Sequence, residues 1–382
     1  MTPPDDPARG KGKQQDAAKE VERAARRARN AANRARREAR AAERAAGTVP
    51  HTSAATRFNI LIVAQAGRLE YEALIFADSL RRNAPGWQGR LIVAEPRSDG
   101  AWTGHATALS DAGRAALIAR GAEIAPFTAR HFGADWPNGN KIEALSLLPA
   151  GEPFIFFDSD TVVTGPLDRL AADFTRPSAS MQREGTWPKP LLYGPEVGEI
   201  WHALYARFGL DFDSSLDQEQ PVNHWERYLY FNAGWFLGAD PQPFAARYLD
   251  WARALRDDPG EALATQELFP WLDQIVLPLV IHSLGGGRPG PELSGLDGKL
   301  TCHWRKLPLL YARESEAAIR AVEQAAAEPD LRPILEGWKP AQALIYDQNG
   351  RRELRPRIDR KNLPLREQPL RQQIKRAGWW LV

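Results

Sequence analysis

The sequence predicts an α/β protein built on an open, mostly parallel β-sheet flanked by helices. Short uninterrupted apolar runs recur along the first half, as strands buried on both faces require. Helix-length segments alternate with those runs, the order from which parallel sheets are wound. The chain has 382 residues, 43% of them hydrophobic and 26% charged. That suffices for one large α/β domain or two smaller ones around a substantial core, and excludes disorder throughout.

The first run is Phe58-Asn59-Ile60-Leu61-Ile62-Val63-Ala64, where the globular domain is expected to begin. A helix over 69–83 follows, ended by Ala84-Pro85-Gly86, and then a strand at 90–94. A helix over 109–120, a strand at 123–127 and a helix over 139–148 continue the alternation. The fourth apolar run, Pro153-Phe154-Ile155-Phe156-Phe157, leads straight into Asp158-Ser159-Asp160. Residues 191–225 read as irregular, 228–237 as a strand, and 241–256 and 261–282 as helices. The run Gly285-Gly286-Gly287-Arg288-Pro289-Gly290 reads as a loop.

Residues 1–56 are rich in Ala and Arg and lack the large aliphatic residues that give a helix a burial face, so they read as a basic helical or disordered arm. The expected catalytic domain spans 57–312. A helical extension and hairpin are expected over 313–350, and a basic tail ending in Trp379-Trp380-Leu381-Val382 over 351–382. Paired Trp beside Lys375 and Arg376 suits either an interfacial membrane anchor or docking on the protein's own surface.

A formal net charge of +2 argues against a general nucleic-acid coat, and no specific nucleic-acid partner is predicted. Cys302 is the only cysteine, which excludes an intrachain disulfide and a multi-cysteine zinc site and points to a reducing cytoplasm. The first residues show no secretory signal, and no apolar run reaches the roughly 18 residues that a bilayer crossing needs. The glycine run lacks the Lys-Ser or Lys-Thr of a P-loop, and neither a Gly-x-Ser-x-Gly elbow nor a His-Glu-x-x-His helix occurs. His202 and His224 sit in the Trp-rich irregular stretch, where packing is the commoner role.

Two carboxylates one residue apart at the end of an apolar strand repel each other unless a cation lies between them. A divalent metal carrying a diphosphate is such a cation. The flanks of the acid pair, Phe154 to Phe157 before and Val162-Val163 after, place it at a strand end, where ligands of open α/β sheets collect.

Asn140-Lys141-Ile142-Glu143-Ala144-Leu145, followed after a turn by Phe154-Ile155-Phe156-Phe157-Asp158-Ser159-Asp160-Thr161-Val162-Val163, resembles the donor-site core of GT-A-fold glycosyltransferases, family 8 above all. The likeness covers roughly residues 58–311 and implies a GT-A-like sheet. Asn232-Ala233-Gly234 is similar to the family's Asn-Ala-Gly segment, Asp273-Gln274 to its Asp-Gln pair, and His303 to its third metal ligand. Two departures stand out. His303-Trp304-Arg305-Lys306-Leu307-Pro308 replaces the His-x-x-Gly-x-x-Lys-Pro-Trp pattern, and Ile275 follows Gln274 where the family has a second Asp.

The resemblance implies a metal-dependent transfer of sugar from a nucleoside-diphosphate sugar to an acceptor hydroxyl, on a bacterial-type surface glycan or glycolipid. Asp158, Asp160 and His303 would hold Mn²⁺ or Mg²⁺, and Lys141 and Lys306 would face the donor phosphates. Asn232, Asp273 and Gln274 would line the reacting centre. Ala64 and Gln65, after the first strand, would contact the base, with a plain strand-to-helix turn as the other reading. The expected place of action is the cytoplasm, with the inner membrane face as a second option through the basic tail. Two other functions stay open: a sugar-phosphate nucleotidyltransferase, whose glycine-rich basic loop is here reduced to Gly67 and Arg68, and a non-catalytic nucleotide-sugar or glycan-binding protein.

Overall fold

The structure is a computed structural model that describes residues 57–182, 187–222, 224–364 and 366–381. The Ala/Arg-rich arm expected over 1–56 therefore lies outside the described residues.

Six strands form the main sheet: β1 (Asn59–Val63), β2 (Leu91–Pro96), β3 (Ala122–Phe127), β4 (Phe154–Phe157), β6 (Ser178–Ala179) and β7 (Trp235–Gly238). β5 (Thr161–Val163) and β8 (Thr301–His303) pair with each other in a separate two-stranded ribbon. The order in the large sheet is β3-β2-β1-β4-β7-β6. β3, β2, β1 and β4 are parallel, and β7 runs against both β4 and β6. This is the open, mostly parallel sheet that the sequence predicts.

Every residue of β1, β2, β4 and β7 is buried, which explains their continuous apolar runs: both faces are covered, so no polar alternation is needed. Ile60, Ile62, Ile155 and Phe157 point into one hydrophobic layer, and Leu61, Val63, Phe154 and Phe156 into the other. β3, at the edge, is buried only at its ends, Ala122 and Phe127. The first layer is covered by α1 (Arg68–Asn83) and α2 (Asp111–Ala119), the second by α3 (Asn140–Ala144) and, further along the chain, α4 (Val197–Arg207), α5 (Pro241–Asp257) and α6 (Leu272–Ser283).

Three expectations are corrected. Residues 191–225 are not irregular throughout, because α4 lies within them. Its start is fixed by a capping box between Glu196 and Glu199, and its buried face is Ile200, Trp201, Leu204 and Tyr205. The strand expected over 228–237 is reduced to β7, since Ala233 adopts φ 61°, which breaks extended pairing just before it. The helix expected over 261–282 begins only at Leu272, after the N-cap Trp271, and Glu261–Leu263 forms a separate short turn.

Beyond β8 the chain continues as α7 (Leu307–Arg313), α8 (Glu316–Ala326) and, after several short turns, α9 (Glu367–Arg376). α8 packs on α1 and α9 on α7. Leu370 and Ile374, one turn apart on α9, are buried, and Trp379, Trp380 and Leu381 pack against the same core layer. Arg371 and Lys375 lie over the Trp380 ring at 5.4 and 5.7 Å from its centroid. The described part of the basic tail is thus docked on the protein's own surface. No helix among the described residues is long and apolar enough to cross a membrane.

Candidate active site

β1 is flanked by β2 on one side and β4 on the other, so the chain leaves the sheet in opposite directions from its carboxyl edge. That divergence opens a crevice, the usual ligand position in such sheets. A cavity of about 460 Å³ lies there, lined among others by Gln65, Arg68, Lys141, Asp158, Asp160 and His303.

Asp158 and Asp160 stand in the turn between β4 and β5. The register of β5 with β8 sets Thr161 opposite His303, and the Trp304 N–H donates to the Asp160 carbonyl at 3.0 Å. The imidazole is thereby brought to the acid pair, with His303 Nε2 2.9 Å from Asp160 Oδ1 and 3.8 Å from Asp158 Oδ2. One ligand atom from each of the three residues lies within 4.8 Å of the others. Burial opposes ionisation of Asp160, but His303 beside it, with Arg68 and Lys306, holds its carboxyl down at about 2.

Gly234 makes room for this arrangement. A Cβ there would sit 2.2 Å from His303 Nδ1 and 2.5 Å from Asn232 Oδ1, far inside contact distance. Its carbonyl accepts the Asp158 N–H at 2.9 Å, and its own N–H donates to Asn232 Oδ1 at 2.8 Å. The Asn-Ala-Gly segment is therefore the wall against which the acid pair and the imidazole are seated.

Lys141 comes from α3, which is anchored because Glu143 accepts the backbone N–H groups of Arg130, His131 and Phe132 at 2.7 to 3.0 Å. Its Nζ lies 2.8 Å from Asp158 Oδ1 and 3.2 Å from Asp273 Oδ2. Burial disfavours the ammonium, but these two carboxylates outweigh it and hold Lys141 above the ordinary lysine range. Asp273 opens α6; burial raises its pKa despite Lys141. Its Oδ1 is buried without a hydrogen-bond partner.

The remaining expected residues divide. Gln65 lines the cavity and accepts from Asn140 Nδ2 at 3.3 Å, while Trp102 Nε1 donates to Asn140 Oδ1 at 2.9 Å. Gln274 lines it as well, its Oε1 accepting the Tyr230 hydroxyl at 2.9 Å, and so does Asn232. Ala64 does not: it is fully buried in the α1-side core. Lys306 is half-buried and does not line the cavity; burial first and then Arg68 lower its pKa. His202 meets Phe212 edge-on and His224 stacks on Trp225, both packing contacts.

Sequence reasoning gave no donor-site role to Arg68 and Arg305, which are in the lining, nor to the fully buried Glu72. Two carboxylates and an imidazole, grouped this closely and opening on a cavity, form a donor set that accommodates Mn²⁺ or Mg²⁺ with positions left for other oxygen ligands.

A family model described as the Rhodobacterales glycosyltransferase domain matches residues 60–285. No curated protein matches the chain in sequence. Among solved structures it is similar to the galactosyltransferase LgtC in complex with donor and acceptor sugar analogues, at 15% identity over 71% of this chain and 96% of that one, with a TM-score of 0.41. It is also similar to the bifunctional glycosyltransferase WbbM, at 14% identity over 74% of this chain and 46% of that one, TM-score 0.38. The glycosyltransferase GlyE of Streptococcus pneumoniae is 12% identical over 76% of this chain and 66% of that one, TM-score 0.38.

Proposed function

The chain belongs to the Rhodobacterales glycosyltransferase family, and from that premise we propose that it moves a sugar from a nucleoside-diphosphate sugar to the hydroxyl of a glycan or glycolipid acceptor, with a divalent metal at Asp158, Asp160 and His303. The observation that carries this reading is the convergence of those three side chains, from the β4 end and from β8, beside the buried Lys141 in one cavity. A divalent cation bound there would neutralise charge on the departing diphosphate.

The protein's own residues supply the rest. Lys141 holds a permanent positive charge next to Asp158 and keeps Asp273 paired. Lys306, half-buried near Asp160, adds a second cation within electrostatic range of a phosphate. Asn232 and Gln274 present amides to the cavity, and Asp273, held by Lys141, lines it beside them. Gln65, braced by Asn140, stands at the carboxyl end of β1 as a contact for the base or ribose. Fixing donor and acceptor hydroxyl in one cavity lowers the barrier through orientation, and preset charges do so without reorganising as the glycosidic bond breaks.

The test is release of nucleoside diphosphate from a panel of UDP- and GDP-sugars, with Mn²⁺ and with excess chelator. Metal-dependent release from at least one donor is expected. Donor binding without any release, over all acceptors offered, would favour a non-catalytic binding protein.

A further inference from the structure

Arg68 stands in the first turn of α1, and the function proposed above gives it no task. Its side chain is 36% exposed and borders the cavity. Nη1 donates to Glu72 Oε1 at 2.6 Å and lies 3.6 Å from Asp160 Oδ2, beyond hydrogen-bond length. Among the described residues its other N–H groups donate no hydrogen bond. A guanidinium is always charged and presents its donors in a rigid fork that fits phosphate.

Glu72 has no exposed surface. One of its oxygens takes Arg68; the other accepts the hydroxyl of Ser159, the residue between the two aspartates, at 3.3 Å. A fully buried carboxylate is costly and persists where its partners hold it. Here those partners are the guanidinium at the cavity edge and the turn that bears the acid pair. Glu72 therefore fixes the position of one relative to the other.

Each member of the acid pair has its own cation, Lys141 at Asp158 and Arg68 at Asp160. An anion approaching the cluster meets positive charge beside both carboxylates. Resting on the donor reading above, we infer that Arg68 binds an oxygen of the donor diphosphate, and that Glu72 is a positioning residue acting through Arg68 and Ser159. The diphosphate is the oxyanion next to Asp160; a sugar carboxylate would offer similar chemistry, and nucleotides without sugar separate the two.

Calorimetric titration with UDP, GDP, UMP and GMP in the presence of Mn²⁺ tests this on the full chain and on Arg68→Met, Arg68→Lys and Glu72→Gln. For the base the native chain accepts, Arg68→Met is expected to weaken the diphosphate about 10- to 100-fold, and the monophosphate by less than about threefold. Arg68→Lys should recover part of that loss. Glu72→Gln should weaken the diphosphate selectively and by less. Unchanged diphosphate affinity in Arg68→Met overturns the inference, as does an equal loss for mono- and diphosphate. A native chain that binds neither diphosphate overturns the donor reading and this inference with it.

Discussion

Thr161 and His303 face each other across the two-stranded ribbon of β5 and β8, and that register brings the imidazole to Asp160. The imidazole is thus delivered by strand pairing, from the far end of the domain, to a turn whose two acids are one residue apart in sequence. The side-chain cluster and the backbone pairing are coupled here: whatever displaces β8 also opens the cluster.

Gly234→Ala is expected to damage the cluster without touching a ligand. The added Cβ would meet His303 Nδ1 at 2.2 Å, so the ring must move away from Asp158 and Asp160. Loss of about tenfold or more in Mn²⁺ affinity is expected, the range seen when a metal ligand loses its orientation. Counting free Mn²⁺ by electron paramagnetic resonance during a titration measures it; native-like affinity would mean His303 is not a ligand.

Lys141 is nearly enclosed between Asp158 and Asp273, whose side chain is 2% exposed. Lys141→Met leaves a buried carboxylate unpaired, for an expected cost of about 3–5 kcal/mol. Lys141→Met with Asp273→Asn should recover much of that stability while remaining inactive. Urea denaturation of the single and double variants checks the pair.

The C-terminal helix gives a third prediction. Ile374 is fully buried, so Ile374→Ala should cost about 2–5 kcal/mol. Arg376→Glu, on the exposed side, should change stability by no more than about 0.5 kcal/mol. Equal denaturation midpoints for Ile374→Ala and the native chain would show that α9 does not dock as described.

β1, β2 and β4 were legible in the sequence because burial on both faces leaves an uninterrupted apolar run, and Asp158 and Asp160 because they end one of those runs. His303 was legible only through family resemblance, since nothing in residues 301–306 announces that β8 will pair with β5. α4 was missed because its start rests on two glutamates and its short buried face, Ile200, Trp201, Leu204 and Tyr205, lies amid turn-forming residues. The pairing of Arg68 with Glu72 was not legible for a different reason: i,i+4 ion pairs are common on exposed helix faces, and only the fold shows that this one lies beside the acid turn. The tail allowed two readings because paired tryptophans suit a bilayer interface and a protein groove equally, until Leu370 and Ile374 are seen to be buried beside them.

The central claim is a metal-dependent donor site at Asp158, Asp160 and His303. It is tested most directly by calorimetric titration of UDP and GDP, with and without Mn²⁺, into the native chain and Asp160→Ala. Nucleotide binding that requires Mn²⁺ and disappears in Asp160→Ala is the predicted result. Binding that is indifferent to both metal and substitution, or no binding to the native chain, would contradict it.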